Sequence, residues 1–362
     1  MAKSESRTQD ASTPVVWLLT DSKPGHRNQL KGLGNRLRVL TGASTYWVDA
    51  SAMKIPLWRA VLGSPPRMQE SLPRPDLVVA AGSGTHRLLL ALRKLRGSRS
   101  LVIMKPAFPL SLVSGALIPA HDRVHPGPRV LLTEGVLNTI TPLARITEKR
   151  EALLLIGGPS PHFDWDDDVV LGQISHLIGH YPDWRWTIST SRRTPEPMRE
   201  RLDEMAGLRI TVVHPDETHE DWLSHQLSAS RAVWVTPDSM SMVCEAATSG
   251  VPTGLFELPA RSGSRVVEGV ERLVRSGYVA QWTDHASVMA GRADHDRSLW
   301  EANRAARWIS SSVATNPLLS PRVAPWPSNC GGRVRSIFSC QYTGRVPPPS
   351  GKSCRCENSF SN

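Results

Sequence analysis

Short apolar runs that each stop at a polar turn and pass into a helical segment recur along this chain, and this recurrence restricts its fold more than any other feature. The run 15–20 leads into Asp21-Ser22-Lys23-Pro24-Gly25-His26 and a helix predicted over 28–40. DLVVAA at 76–81 leads into Gly82-Ser83-Gly84-Thr85-His86 and the helical stretch RLLLALRKL, and a third strand at 100–104 ends at Lys105-Pro106. A second series starts at 152–156, ends at Gly157-Gly158-Pro159-Ser160 and continues into a helix predicted over 166–179. Strands at 185–189, 209–213 and 232–235 follow, with helices after the first and second, and an amphipathic helix closes the series at 298–311. Strands alternating with helices require parallel pairing through right-handed crossovers. The fold class is therefore α/β, with two Rossmann-like domains facing a cleft.

The predicted boundaries are a polar N-terminus at 1–13, an N-terminal domain at 14–145 and a C-terminal domain at 146–312 that includes the closing helix. A low-complexity tail rich in Cys, Pro and Ser occupies 313–362 and reads as disordered, although its abrupt change of composition is also that of a shifted reading frame. The net charge of +10 invites a nucleic-acid reading, but residues from Pro321 onward hold six Lys or Arg against one Glu, about half of the excess. No nucleic-acid partner is expected of the body. Four of the five cysteines lie in the tail as well, and Cys354-Arg355-Cys356 lacks the two-residue spacer of a zinc pair, so no metal is expected. MAKSESRTQDAST lacks the apolar stretch of a secretory signal, and no apolar run is long enough to span a bilayer. The expectation is a cytoplasmic protein.

The densest polar turn is Asp238-Ser239-Met240-Ser241, which ends a strand and opens a helix carrying Glu245. Helix starts at strand ends offer unpaired amides and a positive dipole end to phosphate, and a carboxylate one turn later suits two vicinal ribose hydroxyls. Met240 belongs to this turn, with its side chain expected in the core. Gly157, Gly158 and Ser160 allow close approach of the main chain to a pyrophosphate. Ser191, Arg192 and Arg193 place two guanidiniums at a strand end, suited to a phosphate or a nucleobase carbonyl. The alternative is a cap on the next helix by Thr194. Neither a G-x-G-x-x-G fingerprint nor a P-loop is present. Asp164 and Asp166 to Asp168 could suggest a divalent cation, but they open a helix and are read as dipole partners.

On the N-terminal side, Lys23, Gly25, His26, Asn28 and Gln29 crowd one strand-to-helix turn, and His26 is the candidate general base. Gly82, Ser83, Thr85 and Lys105 supply further polar strand ends for an acceptor.

TDSKPGHRNQLKGLGNRL, LLLIGGPSPHFDW, ISTSRRTP and VTPDSMSMVCEAATSGVP, in that order over about 14–310, resemble the bacterial relatives of the plant mitochondrial fission ELM family. Older labels call such proteins nucleoside-diphosphate-sugar epimerases. The family in turn resembles glycosyltransferases of GT-B architecture. That resemblance implies Gly158 and Ser160 near a diphosphate, Ser191 to Arg193 near base or phosphate, and Glu245 on the ribose. Lys23-Pro24 departs from the smaller turn of relatives, and the tail has no counterpart. A dinucleotide-dependent epimerase is disfavoured, since the glycine fingerprint and a Tyr-x-x-x-Lys pair are both missing. The expected activity is metal-independent transfer from a nucleotide sugar, with no cofactor, to an acceptor that the sequence does not identify, a lipid-linked one at the inner membrane surface being one candidate. The alternative is a non-enzymatic scaffold for a protein or membrane partner.

Overall fold

The computed structural model describes residues 13–291 and 298–311. The first half runs β1 (Val15–Thr20), α1 (Pro24–Thr41), β2 (Ser44–Asp49), α2 (Leu57–Leu62), β3 (Leu77–Ala81), α3 (His86–Leu92), β4 (Arg99–Ile103), β5 (Gly115–Pro119) and β6 (Val130–Thr133). The second runs β7 (Glu151–Leu155), α4 (Asp167–His180), β8 (Arg185–Ser189), α5 (Glu196–Glu204), β9 (Ile210–Val213), α6 (Trp222–Ala229), β10 (Ala232–Val235), α7 (Met240–Ser249), β11 (Thr253–Leu255), α8 (Arg265–Arg275), α9 (His285–Met289) and α10 (Glu301–Ser310). The predicted N-terminus at 1–12 and the tail from 312 lie outside the described residues, as do the four tail cysteines.

Every strand pairs in parallel, in two sheets ordered β2-β1-β3-β4-β5-β6 and β11-β10-β7-β8-β9. The two-series α/β architecture read from the sequence is thus the fold. Strands covered on both faces must be apolar throughout, and β3, β5 and β10 are buried from end to end. Leu30, Leu33 and Leu37 of α1 cover one face of the first sheet, and Leu88, Leu89 and Leu92 of α3 cover the other. Ile174 and Leu177 of α4, Val243 of α7 and Leu273 of α8 close the second core.

Local chemistry sets the helix ends. Pro24 opens α1 where its missing N–H costs nothing, and Gly42 closes it at φ 71°, a left-handed conformation that glycine adopts without strain. Asp166 caps α4 by accepting from the amides of Asp168 and Val169, while Asp164 and Asp168 pair with Arg261 and Arg201. The aspartate cluster is therefore a helix start with ion pairs.

Several elements are absent from the sequence-level reading: β2, α2, β5, β6, α8 and α9. β2 is half-exposed along its length, which blurs its apolar signal, and β5 is framed by Gly115 and Pro119. The closing helix α10 carries a second difference. Counted with the C-terminal half from its order in the chain, it lays Ala302, Ala305, Ala306 and Ile309 on the first sheet's core beside α1. Its amphipathic face specifies burial but not which core receives it.

Gly32 of α1 lies against the segment that joins the halves: a Cβ there would overlap the Asn138 carbonyl. Gly32→Ala is expected to force α1 and this segment apart and lower stability by about 1–3 kcal/mol. Thermal unfolding followed by circular dichroism should show a midpoint several degrees lower; an unchanged midpoint would contradict this packing.

Candidate functional site

In open parallel sheets a crevice forms where the chain reverses its direction of strand addition, outside the carboxyl ends of the two strands concerned. Here those strands are β1 and β3 in one sheet and β7 and β10 in the other. The turns that follow them carry the candidate residues.

After β1, the Asp21 carboxylate accepts the Lys23 amide at 3.1 Å and holds His26 Nδ1, 2.9 Å from both of its oxygens. A carboxylate only accepts, so Nδ1 is the protonated nitrogen and, in the neutral imidazole, Nε2 keeps its lone pair. The turn after β3 passes so close to this pair that a Cβ on Gly82 would overlap both the His26 ring and Asp21 Oδ2, and Gly82 sits at φ 89°. Asp21 was read only as part of the turn. Its spacing five residues before His26 is the signal for an orienting acid.

After β7 and β10 the polar groups bond to one another, except Asp238 Oδ1, which is buried with no partner among the described residues. The Gly157 amide donates to Thr236 Oγ1 at 2.8 Å and the Gly158 amide to Asp238 Oδ2 at 3.3 Å. Arg193 Nη2 meets the same Oδ2 at 2.6 Å, and its Nη1 reaches the carbonyls of Gly158 and Pro159. Ser191 and Thr194 hydroxyls donate to the Gly157 carbonyl at 3.0 and 2.5 Å. Thr194 is thus committed to this interlock and is not the cap of α5. The Asp238 side chain is 1% exposed. Asp238, Arg193 and the glycine amides, expected to face a ligand, bond to one another here and link three strand ends. Arg192 remains exposed, and Ser160 Oγ accepts from the His162 amide at 3.2 Å. Ser239 and Ser241 are half-buried at the start of α7, where no side chain caps the first-turn amides, and Met240 is buried.

Asn28 and Glu245 join the halves. Asn28 Nδ2 donates to Glu245 Oε1 at 2.6 Å, and Thr139 Oγ1 donates to Asn28 Oδ1 at 3.1 Å. Burial pushes the Glu245 carboxyl up to about 7, with the Asn28 hydrogen bond acting in the opposite direction.

A cavity of about 800 Å³ opens between the halves, with Lys23, His26, Gly82, Ser83 and Lys105 on one wall and Pro161, His162 and the 262–266 turn on the other. His86 and His121 line it too, both lowered in pKa chiefly by burial, and Arg265 pairs with Asp122 at 2.7 Å on its rim. Of the acceptor-side candidates, Gly25 is exposed at the start of α1, whereas Gln29 and Thr85 are buried. Gln29 donates to Met104 Sδ and Thr85 to the Gly82 carbonyl, so both support the wall from behind. His121 and Arg265 escaped the sequence reading because neither belongs to a segment with a recognised strand-to-helix turn, and His162 because it lies just past the Gly157–Ser160 turn on which that reading rested.

The sequence model of the mitochondrial fission ELM1 family matches residues 24–313. An uncharacterized protein of Rickettsia prowazekii is 25% identical over 288 residues, covering 67% of this chain and 81% of the relative. The UDP-GlcNAc 2-epimerase of Neisseria meningitidis, solved with UDP-GlcNAc bound, superposes with a TM-score of 0.50 at 14% identity, over 80% of this chain and 98% of that one. A Listeria monocytogenes structure described as a candidate UDP-N-acetylglucosamine 2-epimerase also gives 0.50, at 12% identity over 81% and 94%. Identities this low speak for the fold alone, which is GT-B-like.

Two outcomes follow from this geometry. Asp238→Ala strips the partner from Arg193 and the Gly158 amide; with Arg193 partly solvated the loss is about 2 kcal/mol, read by urea unfolding. For Glu245 the folded pKa of about 7 exceeds the ordinary 4.5, so between these values the folded state holds a proton that the unfolded chain has released. Stability therefore falls as pH rises through that window, by up to about 3 kcal/mol. Melting at pH 5 and pH 8 should show a larger drop for the native protein than for Glu245→Gln, and parallel drops would refute the assignment.

Proposed function

The chain belongs to the mitochondrial fission ELM1 family, and we propose that it is a GT-B-like glycosyltransferase that moves a sugar from a nucleoside-diphosphate donor to an acceptor hydroxyl. The observation that carries the reading is His26, oriented by Asp21 on the wall of the inter-half cavity, with no partner for Nε2 among the described residues. In this reading Nε2 takes the acceptor O–H proton as the oxygen bonds to the anomeric carbon. The bond from that carbon to the diphosphate oxygen breaks, and the nucleoside diphosphate leaves with the electron pair. Asp21 stabilises the imidazolium that forms, an arrangement that typically contributes ~10²- to 10⁴-fold.

The donor would lie along the second half. Uncapped amides at the start of α7, the hydroxyls of Ser160, Ser239 and Ser241, and Arg192 would receive the diphosphate, so the step needs no metal. Gly157, Gly158, Ser191, Arg193 and Asp238 shape that surface from behind. Met240 packs beneath it, and Glu245 has one oxygen beyond the Asn28 bond with which to meet a ribose hydroxyl. On the acceptor side, Lys23 and Lys105 favour an anionic molecule, with Ser83 beside them. The named ligand of one structural neighbour, UDP-GlcNAc, makes a UDP-linked amino sugar the first donor to try.

Calorimetry with UDP, GDP, ADP and CMP and their sugars should give heat with at least one, and silence across the set would favour the scaffold reading. With a binding donor in hand, nucleoside diphosphate release should depend on acceptor and fall at least about 100-fold in His26→Ala. Undiminished turnover in that variant removes His26 from the reaction. An isomerised donor with its nucleotide still attached would assign epimerisation instead.

A further inference from the structure

The short helix α2 faces outward with side chains that ordinarily point inward. Leu57, Trp58, Val61 and Leu62 are 63%, 52%, 63% and 60% exposed, and Ala60 is the only one of its six residues that is buried. Scattered apolar side chains on a surface mean little, but four on one side of six residues form a continuous patch. The helix is also held in this orientation. Arg93 donates to the carbonyls of Ala60 and Val61 and, at 2.6 Å, to that of Leu90, tying the end of α2 to α3. Gly63 ends the helix at φ 67°, packed against the Lys94 stem.

The surroundings are cationic. Arg59 stacks over Trp58 with its guanidinium carbon 4.8 Å from the ring centroid, Lys54 lies just before the helix and Lys94 beside its end. No Asp or Glu occurs between Asp49 and Glu70, and none between Asp76 and Asp122, the two segments that build this side of the first half. A nucleic acid would match the charge but leave the four apolar side chains in water. A second copy of the chain would bring these cations up against one another. An anionic membrane surface matches both features, because its headgroups meet the cations while Trp and Leu side chains enter the interface.

We propose that the α2 face, with Lys54, Arg59 and Lys94 around it, docks on the surface of an anionic lipid bilayer. Among the described residues no helix is long and apolar enough to cross a membrane, so the association is peripheral. A groove of about 640 Å³ lined by Lys54, Ile55, Pro56, Ser83 and Arg87 begins where the chain enters α2, and Ser83 is shared with the inter-half cavity. Docking therefore turns the His26 side of the cleft toward the lipid. The proposal does not depend on the transferase reading, since lipid binding is measured without turnover.

The test is cosedimentation of the full-length chain with vesicles of phosphatidylcholine alone or mixed with phosphatidylglycerol, at low and physiological salt. The native protein should pellet with the anionic vesicles, more strongly at low salt, and Trp58→Ser/Leu62→Ser should lower its partition about tenfold or more. Both proteins carry the same basic tail, so the difference reports the helix alone. Unchanged circular dichroism melting establishes that the variant is folded, and Leu57→Ser/Val61→Ser on the same face serves should the first pair fail to fold. Equal partition of native and variant chains overturns the proposal, as does no binding to anionic vesicles. A concentration-dependent dimer, or oligonucleotide binding, that the double substitution abolishes while vesicle binding persists would likewise overturn it.

Discussion

A carboxyl group withdrawn from water favours its neutral form unless it finds a donor, and half-buried Glu245 meets this constraint at the seam between the two sheets. Its partner, the Asn28 amide, comes from α1 of the facing half, and Thr139 on the connecting segment fixes that amide in turn. The same segment is sewn to α7 by further bonds: the Val136 amide to Cys244 Sγ, Asn138 Nδ2 to Thr248 Oγ1 and the Leu143 amide to the Ser249 carbonyl. A connection that runs through the interior needs partners for its backbone groups, and α7 supplies them. One helix thus anchors the connection and meets the opposite half. Any opening or closing of the halves has to preserve or break the Asn28–Glu245 bond.

The two strand-end crevices solve one steric problem with opposite outcomes. In each, a glycine without a β-carbon lets a neighbouring turn press against a carboxylate: Gly82 against Asp21, Gly157 against Asp238. In the first half the acid faces an imidazole whose other nitrogen opens on the cavity. In the second, an arginine and a backbone amide both meet Oδ2 of the acid, and its Oδ1 is buried with no partner among the described residues. The same residue types therefore line a cavity on one side of the cleft and link strand ends on the other.

Much of the architecture was legible because a parallel sheet buried on both faces demands uninterrupted apolar strands and glycine-bearing turns. The strands 185–189 and 232–235 have the bounds their apolar runs imply, and α4 begins where its aspartates predict. Elements that compromise between faces were not legible. β2 is half-exposed, and α2 is more apolar on its outer side than on its inner one, the reverse of the usual rule. The candidate site divides in the same way. His26 and the α7 turn stand out in sequence, whereas His121, His162 and Arg265 come together only because three segments far apart in the chain line one cavity.

The sequence by itself determined the class of fold, two α/β series with polar residues gathered at the strand ends, since side-chain periodicity and turn chemistry act over a few residues. Only the tertiary structure decided which of those residues are free. Whether Arg193 and Asp238 meet a ligand or each other, whether α10 covers the first core or the second, and whether Glu245 keeps its proton all depend on contacts between segments far apart in the chain. Desolvation and hydrogen-bond competition at such contacts are set by three-dimensional neighbours, and no local pattern encodes them.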